Sequence, residues 1–390
     1  MKKGLLALAF GGFAIGMTEF TMMGILPDIA KDVQVEIPVA AHLIALYALG
    51  VFVGAPILVL FTNKFPPKKV LIFLMVVFFV FNGLFAIAPN LSTMEISRFL
   101  SGLPHGAFFG VGSVAAAKMA RKGKEAQAIA IMFTGMTVAN LLGVPLGTYL
   151  GHHYSWRITY AIICFLGLVT GGALYTWLPD FKANHDSSMF SQLGYFKKGS
   201  AWLLVFLISI GTGGLFAWIS YIAPLVTHIS GLPEGRVPLI MVLVGLGMFF
   251  GNLLGGKLAD SMMPSKAAMI CFSAMSLCLI GVYYTSPTEW TAYPMAFITG
   301  MISFTIGSPL QLMLIRNAKG AETLAAAAGQ ASFNMGNTLG AYLGGIPITL
   351  GLAYNTPVLV GSGMAMIGVL LTFAFYKKYA SRTVDIPEKN

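Results

Sequence analysis

The stretch Leu-Gly-Val-Phe-Val-Gly at residues 49–54 is the strongest indication of the fold, because a similar stretch, Leu-Gly-Met-Phe-Phe-Gly, occurs 197 residues later at residues 246–251. Lys-Gly-Lys-Glu at 122–125 has a counterpart at the same offset, Lys-Gly-Ala-Glu at 319–322. A third set has an offset of 193, which a deletion of four residues, about one helical turn, explains. In that set Gly143, Gly147 and Gly151 match Gly336, Gly340 and Gly344. We interpret the chain as one structural unit present in two copies.

The composition excludes an ordinary soluble protein. Of the 390 residues, 57% are hydrophobic and only 10% are charged, and the mean hydropathy is +0.79. Apolar runs of about 20 residues, enough for a helix to cross a hydrocarbon core of about 30 Å, occur about twelve times. We expect spans near residues 4–27, 38–62, 69–88, 93–117, 125–151, 156–178, 201–228, 237–259, 265–286, 291–315, 322–350 and 356–376. Because these runs are too long for strands, the predicted fold is an all-α polytopic membrane protein with twelve transmembrane helices in two pseudo-symmetric six-helix bundles.

The domain organisation follows from one long polar interval near the middle of the chain. We predict an N-terminal six-helix bundle at 1–180, a linker at 181–200, a C-terminal six-helix bundle at 201–378 and a tail at 379–390. The apolar stretch after Met1-Lys2-Lys3 is too long for a signal peptide and is predicted to be the first transmembrane helix.

The basic residues predict the orientation of the chain. All but four of the 24 Lys and Arg residues fall on the predicted side that holds both termini; the exceptions are Lys31, Arg98, Arg157 and Arg236. Lys and Arg are retained preferentially in cytoplasmic loops, so both termini are predicted to be cytoplasmic. Topology therefore explains the net charge of +10, and nucleic acid is not an expected partner.

Glu19 is the most informative single residue, because of the 14 acidic residues it alone lies near the middle of a predicted span. Burying a carboxylate in hydrocarbon is costly, and residues of this kind usually face a cavity and act in ion or proton pathways. We expect Glu19 to carry protons. The alternative is a neutral, hydrogen-bonded packing residue.

Two basic residues of the fourth span are predicted to work with Glu19. At 1.5 Å per residue, Glu19 and Arg98 lie at similar depths, so the two side chains are expected to pair if their helices are neighbours. His105 is seven positions after Arg98 on the same helical face and is a candidate proton relay. The alternatives are an interfacial anchor for Arg98 and a hydrogen-bonded structural histidine for His105. The second half has no charge at the corresponding positions, so proton coupling is expected to belong to the first half.

Other polar and aromatic residues within the spans are candidates for lining a substrate cavity. They are Tyr47, Asn140, Gln311, Gln330, Asn334 and Asn337, together with Trp218 and Tyr221, which are placed to stack on a ligand ring. Glycines at every fourth position are predicted to let helices pack closely. Pro145 is predicted to bend the fifth span beside such a series of glycines, which suits a rocking movement of two halves.

An enzyme is disfavoured, and neither a cofactor nor a metal is expected. Cys164, Cys271 and Cys278 have no metal-binding spacing and suggest no disulfide framework. Residues 251–257 have the spacing of a phosphate-binding loop, but Leu258 replaces the required Ser or Thr and no strand precedes it.

Several motifs resemble those of the major facilitator superfamily, over essentially the whole chain. Residues 256–260, Gly-Lys-Leu-Ala-Asp, are similar to the loop motif of the second half, with Gly256 and Asp260 at its ends. In the first half Asn63 stands where Asp is expected, and Lys64 keeps the basic character of the loop although Pro66-Pro67 replace the usual Gly-Arg pair.

The fourth and fifth spans carry the more specific motifs. Arg98-x-x-x-Gly102 is similar to the fourth-helix motif associated with proton coupling, and residues 143–147, Gly-Val-Pro-Leu-Gly, resemble the fifth-helix motif of the twelve-helix drug/proton antiporters. The strings at 16–20 and 104–110 resemble AraJ-like sugar efflux permeases.

The resemblance implies a proton-coupled antiporter of the bacterial inner membrane that exports a small organic solute, a sugar or an amphipathic drug, by alternating access. Its partners are then the solute, protons and membrane lipid, and we expect a monomer. The loop and fifth-helix motifs, with Asn63, Lys64, Gly143, Pro145, Gly147, Gly256 and Asp260, are expected to serve gating. Two alternatives stay open: a proton/sugar symporter, and a non-transporting receptor or lipid-handling protein on the same scaffold.

Overall fold

The computed structural model describes residues 2–62, 65–120, 125–181, 193–318 and 322–380, and within them the secondary structure is helical throughout. Twelve long helices form the framework of these described segments. They are α1 Lys2–Gly24, α2 His42–Thr62, α3 Pro67–Ile87, α4 Leu91–Met119, α5 (Glu125–Val138, the π-helical turn Ala139–Gly143 and Val144–His153), α6 Trp156–Trp177, α7 (Gly199–Gly211 and Gly213–Ile219), α8 Val237–Ser261, α9 Pro264–Thr285, α10 (Glu289–Thr305 and Gly307–Asn317), α11 Glu322–Thr349 and α12 Pro357–Phe375.

Eleven of the helices in the described residues are long and apolar enough to cross a membrane. The exception among the twelve is α11, which has 28 residues and is long enough, but which carries Gln330, Asn334 and Asn337 on one face. Amides are polar and lower the hydropathy of a helix. A helix that carries them can still span the membrane if they face the protein interior rather than lipid. The prediction of an all-α polytopic membrane protein is confirmed.

Helix starts follow local chain chemistry. Pro67 occupies the first turn of α3, where a missing N–H removes no hydrogen bond. The Asn90 side chain accepts a hydrogen bond of 3.0 Å from the Thr93 backbone N–H at the start of α4. Ser155 caps α6 in the same way through the Arg157 N–H, at 3.2 Å.

The repeated glycines make equivalent helix–helix contacts in the two halves. In each half a glycine-rich helix, α2 or α8, lies so close to its neighbour, α4 or α10, that a Cβ atom at the glycine would collide with a carbonyl group of the neighbour. The contacts are Gly50–Phe99 and Gly54–Leu103 in the first half and Gly247–Phe297 and Gly251–Met301 in the second. The two copies of the opening stretch therefore form the same helix pair in each half. Helices in lipid associate by close packing rather than by the hydrophobic effect, and glycines permit this close approach.

The third repeated set of glycines joins a second pair of helices in each half. Gly143 and Gly147 place α5 against Met17 and Thr21 of α1, and Gly151 lies against Ile25, which directly follows α1. Their counterparts Gly336, Gly340 and Gly344 place α11 against Thr212, Gly213 and Tyr221, in and just beyond α7. The same pairing of first with fifth helix thus recurs in the second half.

The beginning and end of each half lie on one side of the molecule, which we call the terminal side. Gly4 of α1 lies beside the Trp177 carbonyl at the end of α6, and Gly199 of α7 lies beside the Tyr379 hydroxyl that follows α12. The opposite side is called the far side. The predicted linker and tail lie largely outside the described residues, so the domain boundaries stay a prediction.

Candidate functional site

A cavity of about 290 Å³ lies between the two halves. Its walls come from α1, α4 and α5 of the first half and from α7, α8, α10 and α11 of the second. It reaches from Glu19, five residues before the far-side end of α1, to Leu314, three residues before the terminal-side end of α10. The cavity therefore extends from the centre of the molecule toward the terminal side.

Six of the residues predicted to act at the site line this cavity together. They are Glu19, His105, Asn140, Gln311, Gln330 and Asn334. Three further polar residues that the sequence did not single out, Thr137, Asn252 and Ser303, lie in the same wall. The sequence interpretation overlooked Asn252, which lies between the packing glycines Gly251 and Gly255 of α8. An amide in an apolar span was nevertheless a signal of an interior cavity.

Aromatic rings form much of the remaining wall. Phe20 of α1 and Phe304 of α10 meet across the halves with ring centroids 6.5 Å apart. Phe133, Phe249 and Phe333 add further apolar surface. Neither Lys nor Arg is present among the described lining residues, so the wall combines apolar rings, amides and one carboxyl group.

Glu19 is buried, with 3% of its surface exposed, and no described side chain forms a salt bridge with it within 4.0 Å. The Asn337 amide of α11 is close to the Glu19 carboxyl group, but neither of its two polar atoms has a hydrogen-bond partner within 3.5 Å. Asn337 is thus placed behind the cavity wall, next to Glu19. A carboxyl group with so little compensation is costly to keep ionised.

Arg98 does not pair with Glu19 in this structure. Its side chain is fully buried, and its Nη1 donates to the Thr18 hydroxyl at 3.1 Å and to the Thr18 carbonyl at 3.3 Å, while Nε donates to the Leu43 carbonyl at 3.3 Å. The guanidinium carbon also lies 4.2 Å from the centre of the Tyr47 ring. Carbonyls and an aromatic face therefore stabilise the charge. The burial also excludes the alternative of an outward-reaching interfacial anchor.

His105 and Tyr47 connect Arg98 to the cavity. The Tyr47 hydroxyl lies 3.1 Å from His105 Nδ1, and the His105 ring lines the cavity. Tyr47 itself does not line the cavity, because its ring lies between Arg98 and His105. The chain of contacts from Thr18 through Arg98, Tyr47 and His105 ends at the cavity that Glu19 also lines.

Trp218 and Tyr221 do not line the cavity in this conformation. Both lie at the far-side end of α7, where the Tyr221 hydroxyl donates to the Ala341 carbonyl at 2.8 Å. Trp218 borders a separate space of about 20 Å³ within the second half. The stacking role expected for them has no support here, because the cavity lies toward the other end of the helices.

The fifth helix is irregular where the motif predicted a bend. A π-helical turn at Ala139–Gly143 comes directly before Pro145, and it carries Asn140 into the cavity wall. The Asn140 carbonyl contacts Gly245 of α8, where any Cβ atom would collide with it. At this point the two halves touch backbone to backbone.

The predicted loop motifs lie between α2 and α3 and at the end of α8. Asn63 and Lys64 lie outside the described residues, as does the side chain of Asp260. Gly256 has open space where a Cβ atom would stand, so steric need does not explain it. Their gating role stays a prediction.

Comparison with known proteins identifies the family. The Major Facilitator Superfamily model matches residues 8–330. The chain belongs to this superfamily. This transporter is 40% identical over 389 residues to AraJ of Escherichia coli strain K12, covering 99% of this chain and 98% of that protein. It is 37% identical over 374 residues to the inner membrane transport protein YdhP of the same strain, covering 96% of each.

Solved structures show the same fold at low sequence identity. The xylose transporter XylE of Escherichia coli, in a partially occluded inward-open conformation, has a TM-score of 0.74 at 14% identity and covers 96% of this chain and 97% of its own. A bacterial homologue of the human lysosomal transporter Spinster, inward-facing and unoccupied, has a TM-score of 0.71 at 13% identity and covers 97% of both chains. The family match and the apolar helices together make the protein a multi-pass membrane transporter of this superfamily.

Proposed function

We propose that this transporter exports a small organic solute from the bacterial cytoplasm across the inner membrane in exchange for protons. The observation that supports this most is the isolated Glu19 carboxyl group in the cavity wall, without a cationic partner among the described lining residues. Such a group is stable when it binds a proton or when a ligand in the cavity compensates its charge. Proton and solute would therefore compete for one site, and competition of this kind gives exchange.

The transport cycle follows from this competition. The basic loops predict that the terminal side is cytoplasmic, so the described cavity would take up solute from the cytoplasm. Solute binding would displace the proton of Glu19, and the halves would then rock about their contact to open the far side. Protonation there would release the solute. Both ligands would act by biasing a single equilibrium between two states.

The cavity wall favours a particular class of solute. Five phenylalanine rings offer apolar contact, and the amides of Asn140, Asn252, Gln311 and Gln330 offer hydrogen bonds. A carboxyl group in a cavity wall that holds no Lys or Arg among its described lining residues disfavours an anionic ligand. A neutral or cationic solute with both an apolar face and hydrogen-bonding groups fits best, and both sugars and amphipathic drugs meet this description. The volume of about 290 Å³ is near the lower end for ligand pockets.

Proteoliposomes loaded with the pH-sensitive dye pyranine test the exchange. With equal pH on both sides, L-arabinose, D-xylose and ethidium are added outside one at a time, and protein-free liposomes serve as the control. Exchange predicts a rise of lumenal pH, because solute entry drives protons out whichever way the protein is inserted. A fall of lumenal pH would indicate a symporter and overturn the proposal. No change with any solute, while the protein still binds one of them, would favour a receptor or lipid-handling protein.

A further inference from the structure

Three ionisable side chains meet on the far side, at the end of the molecule away from the cavity opening. Asp28, on the short helix Leu26–Asp32, and His152, at the end of α5, belong to the first half. Glu234, in the 3-10 turn Glu234–Arg236 before α8, belongs to the second half. His152 Nδ1 lies 3.1 Å from Asp28 Oδ1, and His152 Nε2 lies 3.7 Å from Glu234 Oε2. The imidazole ring thus joins the two halves.

The two ring nitrogens of His152 face different carboxylates, so its two protonation states make different contacts. A neutral imidazole carries one N–H group, whereas the imidazolium ion carries two. Because each ring nitrogen faces a carboxylate oxygen, a neutral ring would turn a lone pair toward one of the two carboxylates. Only the protonated ring directs an N–H group toward each carboxylate.

The three side chains differ in their access to solvent. The exposed fractions are 20% for His152, 25% for Asp28 and 71% for Glu234. Burial raises the pKa of the Asp28 carboxyl group, and the hydrogen bond and charge of His152 oppose that rise. His152 therefore favours the ionised form of Asp28. At sufficiently low pH its protonation would weaken the contact, which sets a lower limit to the pH range.

Other charged groups near His152 are engaged elsewhere or lack contact with it. Asp32 accepts hydrogen bonds from the Trp156 indole at 3.0 Å and from Arg157 at 3.1 Å. The His153 ring lies 5.3 Å from the His152 ring, but its Nδ1 faces the Tyr149 carbonyl at 3.0 Å. The remaining charged groups on the adjoining segments are Lys31 and Arg236. Neither makes an ion pair in the described part of the chain.

We propose that Asp28, His152 and Glu234 form a second proton-binding site, a latch that holds the far side closed while His152 is protonated. Loss of the proton from His152 would remove the contact with Glu234 and favour opening of the far side. This site is separate from Glu19 and lies on the opposite face from the cavity opening. The inference rests on the alternating-access movement of the proposed function, and it adds control of that movement by the pH outside the cell.

Distances between spin labels on the far side test the latch. Ser92→Cys at the start of α4 and Pro287→Cys before α10 place exposed labels on different halves, after Cys164, Cys271 and Cys278 are replaced by alanine. Double electron–electron resonance in lipid nanodiscs measures the open fraction at pH 6.0 and 8.5. All measurements are repeated with Glu19→Gln, so that titration of Glu19 does not contribute. Since one partner is exposed, we expect the open fraction to rise roughly twofold to fivefold at the higher pH.

Variants separate the latch from other titrations. His152→Gln is expected to abolish the pH dependence, and Glu234→Gln to do the same, with no further effect in the double variant. His153→Gln is the matched control, because it removes the adjacent histidine, which faces no carboxylate, and it should keep the full response. A response that persists in His152→Gln, or one that His153→Gln abolishes, would overturn the latch.

The outcomes also separate this inference from the proposed function. If His152 controls the distance but no solute moves protons in proteoliposomes, the exchange proposal fails and the latch stands. If solutes drive proton exchange but the distance does not respond to His152, the latch alone fails.

Discussion

Replacing Gly245 by alanine should shift this transporter away from the conformation described here. Gly245 of α8 touches α5 across the halves, and an added Cβ atom would lie 2.8 Å from the Asn140 carbonyl carbon and 3.3 Å from Leu141 Cα. Both are backbone atoms, so one helix must move. Overpacking of this kind costs about 1–3 kcal/mol. At about 1.4 kcal/mol for each factor of ten, the far-side-open population should rise roughly 5-fold to 150-fold.

The far-side spin-label pair measures this shift directly, and two glycines provide controls. Gly247→Ala creates a similar collision, with the Met301 N atom at 2.9 Å, but within the second half, so it should lower stability without favouring one conformation. Gly281→Ala has open space and should change neither. If Gly245→Ala folds and its distance distribution is unchanged, then α5 and α8 do not need to separate at this contact when the far side opens, and the reasoning is refuted.

Three further substitutions follow from individual contacts. Thr338→Val removes the hydrogen bond of 3.1 Å to the Ala45 carbonyl across the halves, and a loss of about 0.5–1.5 kcal/mol should raise the far-side-open fraction roughly 2-fold to 13-fold in the same distance measurement. Gln311→Ala should weaken ethidium binding by isothermal titration calorimetry, whereas Trp218→Ala should leave it unchanged, because only Gln311 lines the cavity; equal effects would contradict the site. Arg98→Lys keeps the charge but loses the guanidinium N–H groups that donate to the Leu43 and Thr18 carbonyls, so the melting temperature in detergent should fall by several degrees. An unchanged melting temperature would show that these carbonyl contacts do not stabilise the protein.

Much of the framework could be predicted from the sequence, because its signals are local and repeated. Two copies of a glycine pattern predicted two equivalent units, and the structure uses Gly50 and Gly247 for equivalent helix contacts. The depth estimate that placed Arg98 level with Glu19 was sound, since Arg98 binds Thr18, the preceding residue. Glu19 lines the cavity between the halves, where a carboxyl group in an apolar span is expected to lie, while its role in proton coupling stays a prediction.

The remainder depends on properties that a single sequence does not contain. Position along a helix gives the height of Arg98 but not the direction of its side chain, which the Leu43 carbonyl and the Tyr47 ring determine. The expected positions of Trp218 and Tyr221 in the cavity had no support for a different reason. Which end of a transporter is open is a matter of conformation, and the far-side end of α7 is packed in this one.

The most direct test of the proposed exchange is the response of Glu19→Gln in pyranine-loaded proteoliposomes. A solute that raises lumenal pH with the wild-type protein is added to the variant, and exchange of labelled for unlabelled solute is measured in parallel. Glutamine keeps the size and hydrogen-bonding capacity of the side chain but cannot carry a proton. We therefore predict that the pH change is lost while solute-for-solute exchange continues. A variant that still moves protons with the solute would contradict the role of Glu19 as the proton carrier.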